Sequence, residues 1–187
     1  MAGELPPGPA TEVDPGAELR ARRRARLRGF QVLLALGVFS AVAGAVLSAS
    51  VAFPLRPALQ ALPPGVREVV VIALWRLWVL AVVPLAAWGA GRVLSLRPAG
   101  IAFAIAAWGE ALFVFLDLGT VGWAAGVWRS GSWFAGRVLT FGLGTALGWW
   151  LARRGRAAAE RVKARHEAEA EATRARYARW LEEQFRR

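Results

Sequence analysis

The chain has 187 residues, of which 56% are hydrophobic, and it carries a formal net charge of +11. It contains no cysteine, which excludes disulfides, thiol nucleophiles and thiolate metal sites. Its one histidine, His166, lies in a polar region, so this chain alone cannot supply a histidine-ligated haem or a multi-histidine metal site within a membrane. We therefore expect no metal and no cofactor.

The first 29 residues predict a disordered cytoplasmic arm that ends in a basic run. Residues 1–19 hold four Pro and three Gly among scattered acids, a composition that cannot bury a core. Residues 20–29 read RARRRARLRG and precede the first apolar block, residues 30–53. A cleaved secretion signal would have a shorter apolar region, of roughly 7–15 residues. We predict a retained transmembrane helix, with a cleaved signal as the alternative.

Three further apolar blocks follow a proline-rich loop at residues 54–68, and each predicts a transmembrane helix. They cover residues 69–91, 100–119 and 133–152. We expect Pro84 to kink the first of these three. Blocks of roughly 20–24 residues match a hydrocarbon core of about 30 Å. The predicted fold is an all-α membrane protein with four transmembrane helices in two hairpins.

Basic residues orient this four-helix domain, residues 30–152, because they flank the cytoplasmic ends of membrane helices. The predicted inner side holds the arm with six bases, the 92–99 loop with two and the tail with eleven, whereas the outer loops hold three. Both termini are therefore predicted to be cytoplasmic. Tryptophans fall at both interfaces of this topology, with Trp123, Trp128 and Trp133 outside and Trp88, Trp149 and Trp150 inside.

The tail, residues 153–187, predicts a charged amphipathic cytoplasmic helix. It is rich in strong helix formers, and it contains opposite charges four residues apart, as in Glu182 and Arg186. Large apolar side chains are concentrated at its end, at Tyr177, Trp180, Leu181 and Phe185. One interpretation is a solvated helix. The alternative is that this end lies on anionic lipid headgroups or docks on a partner.

Two acids, Glu110 and Asp117, lie inside the third apolar block. They are two helical turns apart and therefore share a helix face, to within about 20°. A charge that faces lipid costs at least about 2.5–3.5 kcal/mol, so this face should meet protein or water. The intramembrane bases Arg76 and Arg137 fall at similar depths. We predict the ion pairs Arg76–Glu110 and Arg137–Asp117, although an exchange of partners is geometrically allowed.

Small residues recur on one face of the first and fourth predicted helices. This spacing lets helix backbones approach closely, either within the chain or against another subunit. The residues are Gly37, Ala41, Gly44 and Ser48 in the first helix, and Gly144 and Gly148 in the fourth.

Recognisable catalytic motifs are absent from the sequence. There is no phosphate-binding loop, no dinucleotide fingerprint and no HExxH motif. Ser130 and Ser132 lie in a Gly-rich turn, but His166 is predicted on the opposite side of the membrane, so no Ser–His–acid triad can form. We therefore do not expect an enzyme. A lipid-modifying enzyme would need water to reach Glu110 from the outer side.

Two functional hypotheses stay open at this point. The first is a non-catalytic subunit, or an assembly or scaffold factor, of a larger complex in a bacterial inner membrane, in which the four intramembrane charges form a structural lock. The second is a small transporter or channel component, in which they form a polar site. The scarcity of lysine suggests a GC-rich bacterial genome. Expected partners are the bilayer, other membrane subunits, and anionic headgroups at the arm and tail, but not nucleic acid.

Overall fold

The computed structural model describes residues 15–120, Gly122 and residues 130–186, and these are almost entirely helical, without strands. Predicted features at residues 1–14 and in most of the 120–132 turn lie outside the described residues. The elements are α1 (Pro15–Gln60), α2 (Pro64–Trp75), a π-helical segment (Trp78–Val82), α3 (Val83–Val93), α4 (Pro98–Thr120) and α5 (Gly131–Phe185).

Two of the described helices are long and apolar enough to cross a membrane. They are the Arg23–Gln60 part of α1 and the whole of α4. A third candidate span arises if α2 is counted with the segment Trp78–Val93, to which it is joined at a 53° bend. The start of α5, where we predict a fourth span, is not among these candidates. Its Arg137, tryptophans and glycines lower its hydropathy.

Helix α1 is longer than the predicted first span in both directions. It begins at Pro15, so residues 15–29, which the sequence suggested were part of a disordered arm, are helical. Arg, Ala and Leu dominate this stretch, and all three are strong helix formers. The helix also continues through Pro54 and Pro57 into the predicted loop. The side chains around these prolines are exposed, so the carbonyls that the missing N–H groups leave unpaired lie at the surface of the bundle and not in its core.

The bend in the second predicted span lies at Arg76 and Leu77, not at Pro84 as we predicted. Pro84 falls in the first turn of α3, directly after the π-helical segment. A proline ring collides with the carbonyl four residues earlier in a regular helix, and a wider π turn before it makes room for the ring. Pro84 thus lies next to a local widening of the helix, and the sharp bend of the helix axis lies two turns earlier.

The helices pack into one bundle with a core of small and apolar side chains. Helix α5 lies against α3 and α4, and α1 lies against α4 and the π-helical segment. Among the described residues, Trp78 is the largest fully buried side chain. All six predicted small-face residues are buried, and they pack within the chain. For example, a Cβ added at Gly37 would lie 2.6 Å from the Cβ of Trp108, and one at Gly44 would overlap Trp78.

Candidate functional site

The four charged residues that the sequence analysis placed inside the membrane meet where α2, α4 and α5 approach one another. Arg76 is the C-cap residue of α2, directly after Trp75, and it lies at the bend between α2 and the π-helical segment. Glu110 and Asp117 lie two turns apart on α4, and Arg137 lies in the second turn of α5. We call these four residues the polar cluster.

Within the polar cluster, Glu110 lies between the two arginines. Arg76 Nη2 is 2.7 Å from Glu110 Oε2, and Arg137 Nε donates to Glu110 Oε1. Arg137 Nη1 also lies 3.3 Å from Asp117 Oδ2. The pairs Arg76–Glu110 and Arg137–Asp117, expected from the sequence, are therefore both present. The Arg137–Glu110 contact joins the two pairs into one chain.

Thr140 extends the polar cluster, and the sequence analysis missed it. Arg76 Nε donates to Thr140 Oγ1 at 3.1 Å, while the Thr140 hydroxyl donates to the Gly136 carbonyl at 2.7 Å. The Thr140 hydroxyl thus both accepts a hydrogen bond, from Arg76, and donates one, to Gly136. A usable signal was present, because Thr140 follows Arg137 by three residues and therefore shares its helix face.

Exposure is lowest at the Arg76 end of the polar cluster and highest at the Asp117 end. The side chains of Arg76 and Arg137 are 6% and 10% exposed, that of Glu110 is 19% exposed and that of Asp117 is 34% exposed. Two positive and two negative charges give a net charge near zero. Removal of one member would leave an unpaired charge in a buried place, a change that typically costs about 3–5 kcal/mol.

Trp78 closes the polar cluster on the side of α3. Its ring lies 5.2 Å from the Arg76 guanidinium carbon and 5.2 Å from the Phe113 ring, and it also contacts Gly109. Beyond Trp78, the buried side chains of α3 and of the first half of α4 are apolar or are glycine; they include Val83, Ala87, Ile101, Ile105 and Ala106. Ser40 of α1 is also fully buried, and its hydroxyl has no hydrogen-bond partner among the described residues. The polar cluster therefore opens at its Asp117 end.

A small hydroxyl network joins α2 to the start of α5. Ser130 caps α5 by accepting from the Trp133 amide at 3.1 Å, and its hydroxyl lies 3.0 Å from that of Ser132. Ser132 donates to Glu68 Oε1 at 2.5 Å. These serines thus hold the helix start in place and are satisfied by local partners. Within the described residues, no group of three or more His, Asp or Glu side chains could hold a metal ion.

At the other end of the bundle, α5 is fixed to the α3–α4 connection. Arg156 donates to the carbonyls of Leu94 and Leu96. Close to this contact, Gly91 and Gly155 leave no room for a Cβ between α3 and α5. Three tryptophans at this end carry an arginine over the ring: Trp88 with Arg92, Trp149 with Arg153, and Trp150 with Arg154.

Past this contact, α5 continues as an exposed helix to Phe185. Residues 160–186 are exposed apart from Leu181, which is partly buried. The predicted docking residues Tyr177 and Trp180 are 62% and 51% exposed, and their rings stack at 5.7 Å. Phe185 is 88% exposed. The structure thus brings the polar cluster together inside the bundle and leaves these tail residues on the surface.

No protein-family model, curated protein or solved structure matches the chain.

Proposed function

We propose that this protein is a non-catalytic integral membrane subunit, or an assembly or scaffold factor, of a larger complex in a bacterial inner membrane. One contrast carries the proposal. The ionisable side chains inside the bundle pair with one another, whereas the helix that leaves the bundle is exposed along its length. Residues 153–185 of that helix extend for about 50 Å, at 1.5 Å per residue. An exposed helix of this length supports a role in binding partners.

The proposed topology has four membrane crossings, with residues 133–152 as the fourth and with both termini in the cytoplasm. The three arginine–tryptophan pairs near the Arg156 contact support a membrane interface at that level. Tryptophan favours the interface, and arginine beside it reaches the lipid phosphates. The same level is occupied by the bases that indicated the cytoplasmic side. We further propose that Arg92, Arg153 and Arg154, with the basic start of α1, contact anionic headgroups there.

In this proposal the polar cluster is a structural lock between α2, α4 and α5. Each carboxylate of the cluster forms an ion pair with an arginine, and each arginine forms an ion pair with a carboxylate. This arrangement favours a role in holding the helices together over a role as a ligand-binding site. Ion pairs between helices favour one arrangement of those helices over others, because slippage would leave charges unpaired. No catalytic role is proposed for these residues.

A second candidate function, a small transporter or channel component, is favoured by one observation. Asp117 is 34% exposed and Arg137 links it to the partly buried Glu110, so an ion or a proton could enter at that end. The apolar core beyond Trp78 would then have to open during transport. This requirement makes the transporter the second candidate.

The test is purification from the native membrane in mild detergent, followed by native mass spectrometry. The scaffold proposal expects a stoichiometric complex with other proteins. A lone monomer or a homo-oligomer would contradict it and would direct the work to flux assays on variants of the polar cluster.

A further inference from the structure

The end of α1 and the whole of α2 form a helical hairpin that is less buried than the rest of the bundle. α1 ends at Gln60, α2 begins at Pro64, and the two helices lie against each other. We call residues 54–75 the 54–75 hairpin. None of residues 53–69 is buried, and Ile72 is the one buried residue of α2, whereas α3, of similar length, has five. Elements with so little buried surface have low local stability and open most readily.

Both connections between the 54–75 hairpin and the bundle contain a weak point in the helix. On the α1 side, Pro54 and Pro57 have no amide hydrogen, so the carbonyls of Ser50 and Phe53 lose their usual helical partner. On the α2 side, the helix axis bends by 53°. Arg76 leaves the helical region there, with φ −99° and ψ 12°. Hinges consist of such residues at the ends of elements, and two of them define an axis about which the hairpin can turn.

α2 packs on the start of α5 through contacts that repeat every four residues along both helices. The two residues of each contact are 64 positions apart, so the helices run in the same direction and keep one register. We call this line of contacts the α2–α5 seam. Its contacting pairs are Glu68–Ser132, Ile72–Gly136 and Arg76–Thr140.

The α2–α5 seam is held most firmly at the hinge and least firmly near the tip of the hairpin. At the hinge, Arg76 also pairs with Glu110 and lies beside the Trp78 ring. Near the tip, the hydrogen bond from Ser132 to Glu68 is exposed, so water competes with it and its net contribution is small. The seam can therefore part beyond Arg76 while the ion pairs of the polar cluster stay in place.

We infer that the 54–75 hairpin is a hinged flap, which turns about Arg76 and Pro54 and parts the α2–α5 seam. Arg137 directly follows Gly136 of the seam, and its side chain is 10% exposed while the seam is closed. The open position gives access to Arg137, and in the proposed topology this access is from the outer side. The inference goes beyond the proposed function, because it adds a moving element whose position does not depend on partners.

An engineered disulfide verifies the closed position. The chain contains no cysteine, so Ile72→Cys with Gly136→Cys introduces one defined thiol pair. A Cβ added at Gly136 would lie 3.7 Å from the Ile72 Cβ, within the range of about 3.5–4.5 Å that disulfides require. We expect this pair to crosslink readily under mild oxidation in membranes. A folded protein that does not crosslink would lack the seam and would overturn the inference.

Distances between spin labels on the full-length protein in lipid bilayers test the motion. Double electron–electron resonance is measured on Val66→Cys with Leu139→Cys, which labels exposed positions on α2 and α5. The matched control, Leu85→Cys with Leu139→Cys, keeps the α5 label and moves the other label to an exposed position on α3, beyond the hinge. We expect two distances for the first pair and one for the control. A single distance for both pairs, or equal broadening of both, would overturn the inference.

Removal of the exposed seam contact should shift the balance between the two positions. Glu68→Ala deletes the acceptor for Ser132, and we expect the ratio of open to closed molecules to rise by about three- to tenfold in the Val66–Leu139 label pair. Arg67→Ala is the neighbouring control, which leaves this hydrogen bond intact and should leave the ratio unchanged. An unchanged ratio in Glu68→Ala, or an equal change in both variants, would contradict a flap that the seam holds closed.

Discussion

The arginines in the two halves of α5 differ in their burial and in their partners. Arg137, in the bundle, is buried and contacts both Glu110 and Asp117. Three arginines beyond the bundle are exposed, and each donates to the carbonyl four residues earlier in its own helix; they are Arg161, Arg176 and Arg179. The same residue type thus stabilises the fold in one half and stays available in the other. In the proposed function, the buried half of α5 stabilises the bundle and the exposed half binds partners.

Loss of Arg137 should have the largest effect on stability. Arg137→Met leaves two acids with only Arg76 to balance them, and we expect the free energy of unfolding to fall by about 3–5 kcal/mol. Thermal unfolding followed by tryptophan fluorescence measures the change. Arg179→Met is the control from the exposed half, with an expected change within about 0.5 kcal/mol. If the two substitutions lowered the free energy of unfolding equally, the claim that only the buried arginine stabilises the fold would be wrong.

Paired removal should cost less than single removal. Glu110→Met leaves Arg76 without its acid, whereas Glu110→Met with Arg76→Met leaves the neutral pair Arg137–Asp117 and apolar side chains of similar size. We therefore expect the double variant to be more stable than Glu110→Met alone, by about 1–4 kcal/mol. The same unfolding assay, applied also to Arg76→Met alone, completes the cycle and gives the coupling energy. A strictly additive result would mean that Arg76 and Glu110 do not act as a pair.

Close packing in the bundle predicts the next effect. A Cβ at Gly144 would overlap the Val79 carbonyl, so Gly144→Ala forces α5 away from the π-helical segment and should cost about 1–3 kcal/mol. Gly142→Ala is the matched control, because among the described residues nothing lies within 4 Å of an added Cβ there. Alanine is the better helix former, so this control should be neutral or slightly stabilising. Similar losses at both positions would show that the glycine face is not a contact surface.

The smallest predicted effect concerns the anchor between α5 and the α3–α4 connection. Arg156→Ala removes the donors to the Leu94 and Leu96 carbonyls, and we expect a loss of about 1 kcal/mol, because the site is only partly buried. Hydrogen exchange should become faster at residues 94–97 and stay unchanged around the polar cluster. Unchanged exchange at the connection would argue that the close packing at Gly91 and Gly155 is sufficient to hold α5.

The sequence predicted the polar cluster better than it predicted the helix boundaries, for a physical reason. A charge in an apolar block has few acceptable partners, so the depths of Arg76 and Glu110 nearly determine their pairing. Helix ends depend on weaker terms. The extension of α1 to Pro15, its continuation past Pro57 and the bend at Arg76 depend on local propensity and on tertiary packing, and a hydropathy pattern contains neither. Four crossings and the orientation stay predictions.

Contacts made by small side chains were only partly predictable. The face that includes Gly44 and Gly144 could be recognised by its spacing, but its partners, Trp78 and Val79, could not, because they depend on how the π-helical segment turns.

One comparison tests the central claim most directly, that the buried charges hold the structure and the exposed helix carries the function. Glu110→Gln and the exposed control Glu160→Gln are each purified from native membranes, and their complexes are compared by native mass spectrometry with an unfolding measurement alongside. The account predicts that Glu110→Gln lowers both stability and the yield of complex, while Glu160→Gln changes neither. A Glu110→Gln protein that folds and assembles normally but loses ion or proton flux would contradict the account and establish the polar cluster as a transport site.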